Sequence, residues 1–298
     1  MAFRCGYAAI VGKPNVGKST LINAILGERV AIVTSKPQTT RHRITGILNV
    51  PEAQIIFLDT PGYHVSRKPL NRMMNEIVDE VLSDADAVCL MIEAGQKDCG
   101  MERELFERIG HERAIIVLNK CDKVGREDYD RLAAPFRDEW GAKELVILSA
   151  LKNMGVITLV EAIKDRMPEG PALFPDDIYT ERPVRFLAAE LIREQVFLQM
   201  QQEIPYSAAV EIEEFRDPTP ERAITDIRAA IVVEKESQKG MVVGKGGRRI
   251  KEIGKRARAA IEELVGGKVF LELRVRVEKD WTGDRELIRR FGYTTQMD

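Results

Sequence analysis

The run Gly12-Lys-Pro-Asn-Val-Gly-Lys-Ser19 fits G-x-x-x-x-G-K-[ST] and constrains this chain more than any other stretch. Before it, 7–11 reads as a short buried strand; after it, 19–26 reads as a helix stopped at Gly27. Strand, tight loop and helix N-terminus in that order aim several backbone N–H groups at one point. The helix dipole adds positive potential there, so the point suits an anion. A phosphate chain would lie along Gly12, Lys13, Pro14, Asn15, Val16 and Gly17. Lys18 would reach the outer phosphates, the Ser19 hydroxyl would hold Mg²⁺, and Thr20 would follow it into the helix.

Beyond that helix, 30–45 is polar and lacks a clean period, with Ser35-Lys-Pro-Gln-Thr-Thr-Arg-His42 at its centre, which predicts a mobile loop. Two strands, 43–50 and 53–58, meet at Pro51-Glu52 and end in Asp59-Thr60-Pro61-Gly62. A carboxylate at a strand end, beside a glycine able to approach a γ-phosphate, supplies the second half of a P-loop site. Asp59 would hold Mg²⁺ through water and the Gly62 N–H would sense the terminal phosphate, with Tyr63 next in line. Helices over 71–83, 100–109, 127–140 and 154–167 then alternate with strands over 87–92, 114–118 and 144–148. This predicts a mostly parallel sheet with helices on both faces and ligands beyond the carboxyl ends of its strands. Asn119-Lys-Cys-Asp122 and Ser149-Ala-Leu151 both follow strands at that edge. Guanine N1–H and N2–H₂ are two donors that one carboxylate accepts together, and adenine offers no such pair, so Asp122 selects guanine. The Lys120 stem can cover the base and the Ala150 N–H can point at guanine O6, with Asn119, Ser149 and Leu151 completing the two loops.

The rest of the chain has a different character. Pro168-Glu-Gly-Pro-Ala-Leu-Phe-Pro175 and the acidic Asp176-Asp177 read as a linker. The expected division is 1–170 for the nucleotide domain, 171–184 for the linker and 185–298 for an α+β domain. In the last, a helix over 185–202 precedes strands over 207–215, 223–234 and 268–277. Gly244-Lys-Gly-Gly247 lies between an apolar stretch, 240–243, and a basic helix. Across 240–258, Lys245, Arg248, Arg249, Lys251, Lys255, Arg256 and Arg258 stand against Glu252 alone. This is the KH arrangement: small residues let a nucleotide backbone approach, while helix N–H groups and basic side chains hold it. Gly244, Lys245, Gly246, Gly247, Arg248, Arg249, Ile250 and Lys251 are therefore the expected RNA contacts. Charge agrees, since 239–290 holds fifteen basic and eight acidic residues, or +7, leaving −9 for the remainder of a chain whose net charge is −2. A polyanion partner is expected for that region only.

The four nucleotide motifs resemble those of the translation-factor-like class of GTPases. The finer resemblance is to the Era family, bacterial GTPases that join a Ras-like P-loop domain to a KH (type II) domain. Gln38-Thr-Thr-Arg-His-Arg-Ile44 is similar to that family's first switch, and Thr180-Glu-Arg-Pro-Val-Arg-Phe186 with Ala189-Glu-Leu-Ile-Arg193 to its domain junction. The resemblance implies GTP as substrate and GDP as product, with Lys18, Thr40 and Gly62 at the reacting phosphate. It places Mg²⁺ on Ser19, Thr40 and Asp59, with Thr39 as the alternative to Thr40, and K⁺ on Asn15. The implied partners are single-stranded ribosomal RNA near its 3′ end and the small ribosomal subunit, whose assembly it would assist as a monomer. A peripheral attachment to the inner face of the cell membrane belongs to the same family picture. Tyr63 stands where Ras-type GTPases carry the glutamine that orients the attacking water. A phenol cannot both donate to and accept from that water as an amide can, so basal hydrolysis is expected to be slow.

Composition closes off other classes. With 44% apolar and 31% charged residues, the chain is ordinary for a globular protein. No apolar run approaches the ~18 residues of a membrane span and the N-terminus lacks a signal pattern, which predicts a cytoplasmic protein. Cys5, Cys89, Cys99 and Cys121 form no C-x-x-C pair, and they share no ligand spacing with His42, His64 and His111. That argues against a structural zinc site. Two rival readings stay open. One is an RNA-binding protein with a structural nucleotide site; the other is a GTPase of tRNA modification or transport that uses the KH-like segment as a protein dock.

Overall fold

The computed structural model describes residues 2–63 and 68–293. His64 and the last five residues of the expected second domain lie outside the described residues. The chain begins β1 (Arg4–Gly12), α1 (Lys18–Leu26), β2 (Ile44–Val50), β3 (Ala53–Asp59), α2 (Pro69–Asp84), β4 (Ala87–Glu93) and α3 (Gly100–Ile109). It continues through β5 (Ala114–Asn119), α4 (Tyr129–Ala134), β6 (Leu145–Ile147) and α5 (Val156–Lys164). These strands form one sheet in the order β2-β3-β1-β4-β5-β6, in which β2 alone runs antiparallel to its neighbour. β3 is buried along its whole length and β4 along nearly all of it, as strands covered on both faces must be. One apolar layer holds Ile77, Val81, Phe106 and Trp140, and the opposite one holds Leu21, Ile22, Leu159 and Ile163. The carboxyl ends of β1, β3 and β5 therefore open on one edge, where the motifs lie.

One expectation for this half needs correction. The single helix over 127–140 is broken into a 3₁₀ turn, α4, and a π turn at Pro135–Glu139. Pro135 has no N–H for the ladder, and its ring crowds the carbonyl four residues back. The segment expected as a linker makes hydrogen bonds to β1, β2 and β3. Cys5 N–H donates to the Pro168 carbonyl at 3.0 Å and Ile47 N–H to that of Tyr179 at 2.9 Å. Gln54 accepts from Leu173 N–H at 2.7 Å and donates to the Phe174 carbonyl at 2.8 Å.

The remainder comprises α6 (Val184–Gln199), β7 (Ala209–Arg216), β8 (Ile224–Val233), α7 (Glu236–Val243), α8 (Arg248–Val265), β9 (Lys268–Val277) and α9 (Arg285–Arg290). β7 is antiparallel and β9 parallel to β8, in the order β7-β8-β9. Helices α6 and α8 cover one face of this sheet through Ile192, Val196, Ile253, Ala257 and Ile261, which meet Ile227 and Ile231. The other face carries ion pairs at one end, Arg274 with Glu213 and Arg228 with Glu214. Its far end is closed by Trp281, Phe291 and Tyr293, which pack on Ala230 and Val232 and reach Leu70 and Met73 of α2. The stretch 240–243, read from sequence only as apolar, is the last turn of α7. The Gln238 side chain accepts from the N–H groups of Glu234 and Lys235 at 2.9 and 3.1 Å and caps that helix.

Candidate functional site

Gly17 opens α1 at φ 106°, and a Cβ there would lie 2.3 Å from Asn119 Nδ2, so only glycine fits. Lys18 is buried, and its ammonium donates to the carbonyls of Gly12 and Lys13, each at 3.0 Å. Burial lowers its pKa to about 8, with Asp59 opposing the shift. Ser19 Oγ donates to Asp59 Oδ2 at 2.7 Å and lies 2.8 Å from Thr40 Oγ1. Asp59 is fully buried at the end of β3, and burial pushes its pKa up to about 6 against the pull of Lys18. Its Oδ1 has no hydrogen-bond partner among the described residues. An orphaned carboxylate oxygen beside two hydroxyls is a hard oxygen donor set, and it fits Mg²⁺. Thr39 turns away: its hydroxyl donates to the Lys36 carbonyl at 2.8 Å and lies 2.6 Å from Thr34 Oγ1. Thr40, not Thr39, is therefore the threonine beside Ser19.

At the other end of the site Asn119 acts as a bracket. Its Nδ2 donates to the Val16 carbonyl at 2.7 Å, and its Oδ1 accepts from Ala150 N–H at 3.0 Å. The Ala150 N–H expected to face guanine O6 is thus engaged within the protein. Ser149 Oγ donates to Asp122 at 2.5 Å, and that bond is the main reason the Asp122 carboxyl sits below its usual pKa. Asp122 is exposed at the mouth, so a base bound there would itself have to shut water away from it. Lys120 pairs with Glu93 at 2.5 Å, which stretches its stem across the mouth.

These groups border one cavity of about 270 Å³, lined by Pro14, Asn15, Gly17, Lys18, Ser19, Thr20, Thr40, Gly62, Asn119, Lys120, Asp122, Ala150 and Leu151. Other expected site residues lie behind it. Lys13 points away to Glu102 at 2.9 Å, Thr60 Oγ1 donates to the Ile10 carbonyl at 2.8 Å, and Val16 and Pro61 are buried. Tyr63 N–H donates to the Gly12 carbonyl at 3.3 Å while its ring packs half-buried on the core. The cavity also takes Thr39, the alternative to Thr40, and Ile32, Val33, Thr34, Gln38 and Lys123, for which the sequence pattern suggests no nucleotide contact. All but Lys123 belong to the polar loop, where nothing in the spacing marks a pocket face.

The G-x-x-G segment joins α7 to α8. Gly246 and Gly247 adopt φ 60° and 73°, and neither faces any atom within 4 Å of its would-be Cβ. A backbone ligand can come this close. Lys245, Arg248 and Lys251 are exposed and have no acidic partner among the described residues, whereas Arg256 pairs with Glu252 and Arg258 with Glu262. Arg249 donates to the Met241 carbonyl at 2.9 Å, and Ile250 begins a groove floored by Gly254, Leu271 and Leu273.

Fold and site together define a P-loop GTPase joined to a KH domain. Residues 7–120 match the family described as 50S ribosome-binding GTPase, and residues 203–282 match the KH domain family. The chain belongs to the Era family of GTPases. It is 45% identical over 294 residues to GTPase Era of Geobacter metallireducens, covering 98% of both chains. To GTPase Era of Syntrophus aciditrophicus it is 46% identical over 293 residues, covering 98% of this chain and 95% of that one. The structure of Aquifex aeolicus Era Y63A bound to GDP·AlF₄⁻ superposes with a TM-score of 0.94 at 41% identity, covering 98% of this chain and 100% of that one. The structure of Era in complex with MgGDPNP and nucleotides 1506–1542 of 16S ribosomal RNA gives 0.93 at 41% identity, covering 98% and 99%. Among the described residues no helix is long and apolar enough to cross a membrane.

Proposed function

We propose that this GTPase is a cytoplasmic switch whose KH domain holds single-stranded RNA near the 3′ end of small-subunit ribosomal RNA and assists assembly of that subunit. The observation that carries this reading is the similarity, along both domains, to an Era structure that holds MgGDPNP and a 16S ribosomal RNA segment at once. In the site, Lys18 and the P-loop amides neutralise the outer phosphates, while Ser19, Thr40 and Asp59 hold Mg²⁺, which withdraws charge from the β- and γ-oxygens. Gly62 N–H faces the γ-phosphate, and the Asp122 carboxylate accepts the guanine donors.

Tyr63 offers no water-orienting amide, so another positive charge must balance the transition state. This reading gives that role to K⁺ on Asn15, which sits at φ 63° on the cavity wall and donates from Nδ2 to the Ser35 carbonyl at 2.9 Å, with its Oδ1 as the atom that would take the cation. GTP turnover in Mg²⁺ is therefore expected to run several-fold faster in K⁺ than in Na⁺, with the difference lost in Asn15→Ala. Equal wild-type rates in the two salts remove the K⁺ site. Tight GDP binding with no turnover in either salt selects the structural-nucleotide reading instead.

A further inference from the structure

The loop between α1 and β2 carries Thr40, and it is held from the other domain. Lys36 Nζ donates to the carbonyls of Phe197 and Met200 at the end of α6. The buried Arg41 donates to the carbonyls of Pro205, Tyr206 and Ala208 at 2.9, 2.7 and 2.8 Å. Val33 N–H donates to Glu194 Oε1 at 3.1 Å. Arg193 makes the contact that bears on chemistry. Its side chain is 1% exposed, its Nε and Nη2 hold Glu190 at 2.7 and 2.5 Å, and its Nη2 also donates to the Thr39 carbonyl at 2.5 Å. The Phe197 ring lies 5.3 Å from the Arg193 guanidinium carbon and 5.7 Å from that of Arg41, so α6 braces both arginines.

The Thr39 carbonyl and the Thr40 N–H share one peptide plane, which rotates as a unit. A donor fixed on that carbonyl therefore sets the direction in which Thr40 leaves the plane. We propose that Arg193 is a positioning residue for the Mg²⁺–GTP site: by holding the Thr39 carbonyl it aims Thr40 Oγ1 at Ser19, so a side chain of the RNA-binding domain sets the competence of the hydrolytic one. This rests on the reading of Thr40 as a Mg²⁺ ligand. Because the coupling is an equilibrium one, anything that shifts α6 against the loop changes the Mg²⁺–GTP site, and occupation of that site shifts α6 in return.

Removing Arg193 alone would strand the Glu190 carboxylate in the interior and threaten the fold. The test therefore uses full-length Glu190→Gln/Arg193→Met, which removes the buried pair together, and Arg193→Lys, which keeps a charge but loses the fork that serves both partners. The measurements are thermal unfolding, affinity for fluorescent GDP, and GTP hydrolysis titrated with Mg²⁺. The double variant should fold and bind GDP as wild type does, since the P-loop and 119–122 are untouched. Its half-saturating Mg²⁺ should rise and its kcat fall, each by about tenfold, the worth of one charge-assisted hydrogen bond. Arg193→Lys should shift Mg²⁺ dependence by less, about threefold. If the folded variants hydrolyse GTP with wild-type kcat and Mg²⁺ dependence, Arg193 is an interface residue only and the inference is overturned. Thr40→Ala with unchanged Mg²⁺ dependence would overturn the reading beneath it as well.

Discussion

Asp122→Asn is expected to lower GTP affinity by about 3 kcal/mol or more and to admit xanthosine triphosphate in part. The Ser149 hydroxyl holds one oxygen of the carboxylate at 2.5 Å and draws its pKa below the usual carboxylate range. The carboxylate's remaining acceptor capacity would serve the base, and Lys120, drawn out toward Glu93, borders the same mouth. An asparagine presents one acceptor and one donor, so a donor now opposes a guanine donor under the covering base. Xanthine, with a carbonyl in place of the 2-amino group, restores the match. Displacement of fluorescent GDP by GTP and by xanthosine triphosphate measures both effects. Unchanged GTP preference would remove Asp122 from the base site.

Lys245→Asp with Gly246→Asp is expected to weaken single-stranded RNA binding by at least about tenfold, more than Arg258→Ala does. The pair sets two carboxylates where the phosphodiester backbone should pass. Gly246 sits at φ 60° with nothing within 4 Å of where a Cβ would stand, and aspartate tolerates that left-handed conformation better than most residues. The substitution therefore blocks a ligand rather than the protein's own packing, and thermal unfolding should show the fold intact. Arg258 already leans on Glu262 at 3.9 Å, so its loss removes a single screened contact. Wild-type log affinity should fall linearly with log salt, and the Asp pair should flatten that slope. Basal GTP hydrolysis should be unchanged, because the loop lies in the other domain. Wild-type RNA affinity in the folded variant would place the RNA surface elsewhere.

Much of the fold and nucleotide site was legible in sequence because phosphate, Mg²⁺ and guanine each demand particular residue types at strand ends. Gly17, Lys18, Ser19, Asp59 and Asp122 are such residues, and a strand or helix brings each to the same edge. What was not legible depends on distant partners. Arg41 reads as a surface residue of a polar loop expected to be mobile, yet it is 1% exposed because the carbonyls that take its hydrogen bonds lie some 165 positions away. Arg193 likewise lies on the apolar side of α6, where only the fold reveals Thr39 above it. Helix α7 was hidden by Gly240 and the valine pair that follows. The cover formed by Trp281, Phe291 and Tyr293 was hidden by the charged residues between them.

The central claim is that one chain couples a guanine-nucleotide site to RNA of the small ribosomal subunit through the G-x-x-G loop at 244–247 and the start of α8 that follows it. Crosslinking in growing cells, with the RNA joined to that loop then sequenced, tests it most directly. Crosslinks should concentrate near the 3′ end of small-subunit ribosomal RNA and disappear when Lys245 and Gly246 are both changed to aspartate. Crosslinks concentrated on transfer RNA, or a loop that captures no RNA at all, would contradict the claim.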